Sequence, residues 1–202
     1  MFLEREDITP DTADRDGRTL LSWAAEYGYE TIAEVLLQHK DVAPDTPDED
    51  GRIPLSWAAE HGYRAIVGML LEREDVAPDT PDHGGRTPLS WAAEGGHLDI
   101  VRILLEREDV NPDAADRDGR TPLLWAAEYG FGDVVKMLLG RLDVTPGTAD
   151  KNGHMTKAPH RIGPLICSVA LLKSILISLL LAFLLSSLYL YLLAFLLSLY
   201  QS

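Results

Sequence analysis

A strict period of 34 residues constrains this chain more than any other feature of its sequence. Tryptophan recurs at this spacing, and so do a turn glycine and a loop proline. The three series are Trp23, Trp57, Trp91 and Trp125; Gly17, Gly51, Gly85, Gly119 and Gly153; and Pro10, Pro44, Pro78, Pro112 and Pro146. A period of about 20–50 residues indicates an array whose units bury their apolar faces against their neighbours.

Each unit is predicted to be a turn followed by two helices. An Asp-Gly turn comes first, Thr then caps a helix, and Pro stands at the first helical position, where a missing N–H is harmless. Glycines end this helix at Gly28, Gly62, Gly95-Gly96 and Gly130. A second helix follows with an apolar face at i, i+3 and i+4, formed by Ile32, Val35 and Leu36 and then by Ile66, Met69 and Leu70.

These features together, as in "DGRTPLLWAAEYG" (118–130), resemble the ankyrin repeat. The tetratricopeptide repeat has the same period but lacks the Asp-Gly turn and the Thr-Pro helix start. The resemblance covers residues 1–153, and the units look like the C-terminal ankyrin arrays of large fungal proteins that carry a nucleotide-binding module upstream. It implies an all-α repeat solenoid of ankyrin-like helix-turn-helix units, which acts as a non-enzymatic scaffold for protein binding.

The chain departs from the family pattern near the turn. The family usually has His where this chain has Ser22, Ser56, Ser90 and Leu124, and the next residue is Trp rather than a small aliphatic. In the first unit Leu20 replaces Pro. These departures leave the usual hydrogen bonding beside the turn open, but they do not affect the predicted fold.

The repeat pattern and the composition divide the chain into four parts. Residues 1–13 are a partial repeat, and residues 14–153 hold four full units and a truncated turn. Residues 154–161 form a basic linker, and residues 162–200 are a hydrophobic segment. We expect the repeat region to be monomeric.

The resemblance implies protein contacts through the turn tips and the exposed end of each first helix. The corresponding positions are Arg15, Asp16, Arg18, Glu26 and Tyr27; Glu49, Asp50, Arg52, Glu60 and His61; His83, Gly84, Arg86, Glu94 and Gly95; and Arg117, Asp118, Arg120, Glu128 and Tyr129. Two interpretations of the four periodic arginines stay open. They form a ladder of contacts for a partner, or they pair with neighbouring acids of the turns. The tryptophans are expected to fill the space between adjacent repeats.

Composition argues against several other functions. All 32 acidic residues lie at or before Asp150, and an acidic body is unsuited to nucleic acid, whose phosphates need clustered Lys and Arg. The single cysteine, Cys167, forms no internal disulfide and no cysteine-based zinc site. We find no phosphate-binding loop, no catalytic constellation and no calcium-loop spacing, so we predict no enzymatic activity, no cofactor and no metal.

The last part of the chain has the composition of a membrane segment. Residues 174–200 contain no charge, Gly or Pro, and about 20 apolar residues suffice to span a bilayer as a helix. The four nearby cations, Lys151, Lys157, Arg161 and Lys173, precede this segment, so the repeats are expected on the cytosolic side of a single-pass protein.

A second interpretation of this segment stays open. The stretch "LLAFLLSSLY" (180–189) nearly recurs as "LLAFLLSLY" (192–200), as a translated simple DNA repeat would. On that interpretation the chain is a cytoplasmic fragment of a larger ankyrin-containing regulatory protein, and the apolar tail is an accident of reading frame or gene prediction.

Overall fold

The structure, a computed structural model, describes residues 11–141, 143–145 and 150–151. Within these residues the secondary structure is helical and contains no strand. The helices are α1 (Leu20–Tyr27), α2 (Glu30–Gln38), α3 (Pro54–His61), α4 (Arg64–Leu71), α5 (Pro88–Glu94), α6 (Leu98–Leu105), α7 (Pro122–Glu128) and α8 (Gly132–Leu139). They form four pairs, one for each full unit predicted from the period.

The pairs stack in sequence order as two rows of helices. The first helices α1, α3, α5 and α7 pack side by side in one row, and the second helices α2, α4, α6 and α8 form the other. The core lies between the rows. In the second unit it contains Leu55, Ala58 and Ala59 from α3 and Ile66 and Leu70 from α4, all fully buried. The predicted helical repeat solenoid is therefore confirmed for the described units.

Local signals begin and end the helices where the sequence predicts. Thr19, Thr87 and Thr121 cap α1, α5 and α7 by accepting a hydrogen bond from the backbone N–H three residues later. Gly28 ends α1 with a φ of 73°, a left-handed backbone conformation that residues other than glycine rarely adopt. Ile53 stands at the cap of α3 and supplies no side-chain hydrogen bond.

The predicted apolar face of the second helix is buried in one unit and exposed in another. Ile66 and Leu70 are fully buried, and Met69 is partly buried. By contrast, Ile32 and Val35 of α2 are 42% and 45% exposed, although Leu36 is buried. The reason is that α4 packs against the second helix of the preceding unit, α2, whereas the described residues contain no second helix before α2.

The predicted basic linker and membrane helix, residues 154–161 and 174–200, lie outside the described residues. Among the residues that are described, no helix has the length and apolar character needed to cross a membrane.

Candidate functional site

An aspartate organises each turn and joins it to the first helix. In the second unit, Asp48 Oδ1 accepts hydrogen bonds from the backbone N–H groups of Asp50 and Arg52 at 3.0 and 2.8 Å, and Asp48 Oδ2 accepts one from Trp57 Nε1 at 3.0 Å. The other three units repeat this arrangement with Asp14 and Trp23, Asp82 and Trp91, and Asp116 and Trp125. This carboxylate accepts the hydrogen bonds beside the turn. The departures from the family pattern had left that hydrogen bonding open.

Successive turns are joined by backbone hydrogen bonds. The N–H of Glu49 donates to the carbonyl oxygen of Asp16 at 2.9 Å, and the N–H of His83 donates to that of Asp50 at 2.8 Å. The same bond joins Arg117 to Gly84 and Lys151 to Asp118. The tips therefore form one continuous row along the edge of the array, and their side chains are exposed.

The four periodic arginines alternate with the four tryptophans in a column. The guanidinium carbon of Arg52 lies 3.4 Å from the ring centroid of Trp57 in its own unit and 4.0 Å from that of Trp91 in the next. Arg18 and Arg86 bridge neighbouring units in the same way. A guanidinium over an aromatic face is attracted by the negative face of the ring. The tryptophans thus lie between adjacent repeats as expected, but their neighbours there are arginines.

The same arginines are held by acids within the array. Arg18 pairs with Glu26 at 2.6 Å, and Arg52 and Arg86 pair in the same way with Glu60 and Glu94. Arg120 differs, because it pairs with the turn acids Asp116 and Asp118 at 3.2 and 3.1 Å. Arg52 is only 8% exposed. The guanidinium groups of Arg52 and Arg86 therefore contact an indole ring on each face and a glutamate at one edge, all within the array.

Aromatic side chains project from the ends of the first helices. Tyr27 and Tyr129 are more than half exposed, and each stacks on the tryptophan of its own unit, with centroids 5.8 and 6.3 Å apart. His61 stacks on Trp57 in the same way, whereas the third unit has Gly95 at this position. A hydrogen bond to the Glu94 carboxylate raises the pKa of the Tyr129 phenol.

The structure places the predicted contact positions in two groups. The tip residues and the aromatic positions are exposed in one line along the first-helix side, and we call this the tip face. It comprises Arg15, Asp16, Tyr27, Glu49, Asp50, His61, His83, Gly84, Arg117, Asp118, Glu128 and Tyr129. The arginines and most of their glutamates lie beneath it, half-buried or buried: Arg18, Glu26, Arg52, Glu60, Arg86, Glu94 and Arg120.

The sequence analysis missed the aspartates that hold the turns. Their signal was present, since an Asp stands nine residues before every periodic Trp. Backbone hydrogen bonds to its carboxylate, first that of Arg18, lower the pKa of Asp14. These aspartates hold the turns that carry the tip face. Two of them, Asp48 and Asp116, are buried and so do not form part of its exposed surface.

Comparison with known proteins identifies the repeat. The family model "Ankyrin repeats (3 copies)" matches residues 1–82 and 74–150. No curated protein matches the chain significantly.

Proposed function

The chain belongs to the ankyrin repeat family, and from this premise we propose that it is a non-enzymatic module that binds a protein partner on its tip face. The observation that supports the proposal most is a division of roles within the unit. The buried framework is nearly identical from unit to unit, whereas the exposed tips of the first three units differ. Arg15-Asp16 becomes Glu49-Asp50 in the second unit and His83-Gly84 in the third, and Arg117-Asp118 of the fourth unit repeats the first.

The proposal assigns the contacts to tips and aromatic rings rather than to the arginine ladder. Arg52 is enclosed between two indole rings and paired with Glu60, so a partner gains little from it without breaking those contacts. Tyr27 and Tyr129 are exposed and are already oriented by stacking on a tryptophan. Rigid, exposed aromatics are effective anchors at protein interfaces, because little conformational entropy is lost when they bind.

Site-specific photocrosslinking in cells tests this assignment. A photoreactive amino acid replaces Tyr27 or Tyr129 on the tip face, and in the control it replaces Lys136, whose side chain is 68% exposed on the second-helix side. We expect the same discrete crosslinked species from both tip-face positions and none from position 136. Equal crosslinking from all three positions, or none from the tip face, contradicts the proposal.

We also propose that the apolar segment 174–200 anchors the array to a membrane with the repeats on the cytosolic side. Support comes from the sequence alone. The segment has 27 uncharged residues, which is long enough to span a bilayer with tilt. The cations Lys157, Arg161 and Lys173 precede it, and Lys and Arg favour the cytosolic side.

Alkaline carbonate extraction of membranes tests the anchor. The full chain carries an N-terminal tag and is compared with a chain that ends at Gly153. We expect the full chain to stay in the membrane pellet and the shorter chain to be released. Release of the full chain, or its recovery only in aggregates, rejects the anchor and favours the interpretation that the tail is an accident of reading frame.

A further inference from the structure

The third unit lacks the aromatic ring that the other three described units have at the end of their first helices. The equivalent positions are Tyr27, His61, Gly95 and Tyr129. Each of the three rings stacks on the tryptophan of its own unit, with centroids 5.8, 6.2 and 6.3 Å apart. The line of rings along the tip face is therefore interrupted at Gly95. We call this gap, which borders Trp91 and Glu60, the Trp91 notch.

The tryptophan beside the notch is more exposed than its counterparts. Trp57 and Trp125 are only 7% and 5% exposed, whereas Trp91 is partly exposed. Trp91 nevertheless has a guanidinium group of its own unit and one of the preceding unit as neighbours, as the other two have. Trp23 is partly exposed as well, but among the described residues it has one guanidinium neighbour rather than two. The missing ring therefore accounts for the exposure of Trp91.

A carboxylate of the preceding unit also lacks the neighbour that its counterpart has. In the fourth unit, the phenol of Tyr129 donates a hydrogen bond to Glu94, one unit back. The residue that stands in the same relation to Gly95 is Glu60, and a glycine offers it no hydroxyl. The Glu60 side chain is 31% exposed, against 21% for Glu94. The notch thus offers an indole ring and a carboxylate, the two groups that hold Tyr129.

The packing of His97 explains why the third unit has glycine here. A Cβ added to Gly95 would lie 2.5 Å from the His97 ring and 2.9 Å from the carbonyl oxygen of Glu60. His97 Nε2 donates a hydrogen bond to that carbonyl oxygen at 2.8 Å, which holds the ring in place. Position 95 therefore cannot supply a ring while His97 stays there, and a ring in the notch must come from another segment or molecule.

We propose that the Trp91 notch binds a tyrosine side chain of the protein partner, within a basic stretch of the partner's chain. The tyrosine ring lies against Trp91 as Tyr129 lies against Trp125, and its hydroxyl donates to the Glu60 carboxylate. Tyrosine suits this position because its ring and its polar tip both find a partner when they are buried at an interface. This inference rests on the proposed function, since it names the residue through which the partner contacts the tip face.

The charge of the surface favours basic residues beside this tyrosine. Residues 1–150 contain 32 acidic and 14 basic residues, and the tip of the second unit exposes Glu49 and Asp50. Complementary charges across an interface steer association and disfavour wrong partners. A phosphorylated tyrosine is disfavoured for the same reason, because its phosphate would face the carboxylate of Glu60.

Selection of short peptides from a random phage-displayed library tests the proposal on the full chain, kept in detergent micelles. The comparison is a filled variant, Gly95→Tyr/His97→Phe, in which the residues of the fourth unit replace those of the third, so that the chain supplies its own ring. We expect the selected peptides to share a tyrosine with Lys or Arg close to it. They should bind the filled variant at least about tenfold more weakly, because a buried aromatic anchor loses its pocket.

A selected peptide then separates the contribution of the hydroxyl from that of the ring. Replacement of its tyrosine by phenylalanine should weaken binding to the original chain about tenfold, because a hydrogen bond to a charged group is lost. In Glu60→Gln the same replacement should cost less than about threefold, since only a neutral acceptor remains. Glu94→Gln is the matched control, because its carboxylate serves Tyr129, and the tenfold loss should persist there.

Several results overturn the proposal. They are selected peptides without a shared tyrosine, equal binding to the filled variant, an equal loss with phenylalanine in Glu60→Gln and in the original chain, and a selection that enriches no peptide. Binding that appears only in a chain ending at Gly153 would identify a segment of the same chain as the occupant, which also overturns it. The crosslinking from positions 27 and 129 decides the proposed function separately. Discrete crosslinks there, together with any of these results, reject the tyrosine and retain the tip face.

Discussion

The first helix of the second repeat is capped differently from those of the other three. Ile53 replaces the capping Thr, and the hydroxyl of Ser56, which is fully buried, has no hydrogen-bond partner among the described residues. In the third repeat, the equivalent Ser90 hydroxyl lies 3.3 Å from the Thr87 hydroxyl. A buried polar group without a partner keeps its full desolvation cost.

Ser56→Ala is therefore expected to stabilise the protein by about 1 kcal/mol, because it removes an unsatisfied hydroxyl from the core. Ser90→Ala, the matched control, is expected to destabilise it by about 0.5–1.5 kcal/mol, because it removes a satisfied one. Urea unfolding followed by tryptophan fluorescence measures both changes. Destabilisation by both substitutions to the same extent would show that Ser56 has a partner in the folded protein.

Two loop aspartates give the stability a dependence on pH. Asp45 Oδ2 accepts the N–H of Ala77 at 2.5 Å and Asp79 Oδ2 that of Asn111 at 3.2 Å, while the second oxygen of each is buried without a described partner. Burial raises the pKa of both carboxyls above the ordinary value. A raised pKa in the folded state means that the folded protein binds the proton more tightly than the unfolded chain does.

The stabilising contribution of these protons is complete below the pKa of the unfolded chain, about 3.9, and is lost as the pH rises through the higher folded pKa. We expect Asp45→Asn/Asp79→Asn to be more stable than the original protein at neutral pH, with this advantage shrinking as the pH falls towards 4. Asp75→Asn is the control of opposite sign, because Arg73 lowers the pKa of Asp75. Denaturation curves at pH 4 to 7 measure the differences, and a constant difference would contradict the assignment.

At the scale of the element, an arginine after each later second helix binds the end of the preceding one. Arg73 donates to the carbonyl oxygens of Leu37, His39 and Val42, each at 3.2 Å, and its guanidinium also contacts Asp75. Arg107 and Arg141 bind the carbonyl oxygens of Leu71 and Leu105 in the same manner. The carbonyls of Leu37, Leu71 and Leu105 lie in the last turn of a second helix, where carbonyls are left without an intrahelical partner and a cation is also favoured.

Arg73→Lys is expected to destabilise the protein by about 1–3 kcal/mol, because an ammonium group cannot reproduce the planar fork that reaches several carbonyls and a carboxylate together. Arg102→Lys provides the control. Its side chain is 53% exposed and pairs with Asp99 on the helix surface, so the expected change is below about 0.5 kcal/mol. Equal effects in urea unfolding would rule out a capping role for Arg73.

The elements themselves could be predicted from the sequence because their signals are local. The Thr caps, the prolines at the first position and the closing glycines lie within a few residues of the helix ends that they determine. The column of alternating arginines and tryptophans could not be predicted in this way. It brings Arg52 onto Trp91, 39 residues away, and only the stacking of two units sets that distance. The positions of the tip face follow from the register of the repeat, but which of their side chains are exposed depends on the same stacking.

At the scale of the whole molecule, stability depends on interfaces between neighbours. Each first helix contacts the next first helix and each second helix contacts the next second helix, so the main contacts between the described helices join neighbouring units. The stability of such an array is approximately a sum over units and nearest-neighbour interfaces. Residues of the same type at equivalent positions should therefore contribute differently to stability, depending on whether a neighbouring unit packs against the side on which they lie.

Ile32 and Ile66 allow a direct comparison, because they occupy equivalent positions in the first and second units. Ile66→Ala is expected to cost about 2–5 kcal/mol, since Ile66 is fully buried at the interface between the first two units and its truncation leaves a cavity. Ile32→Ala is expected to cost about 1 kcal/mol or less, since Ile32 is 42% exposed. Urea unfolding of the two full-length variants measures the difference. Equal costs would mean that Ile32 is as fully buried in solution as Ile66, and would contradict the dependence on a neighbouring unit.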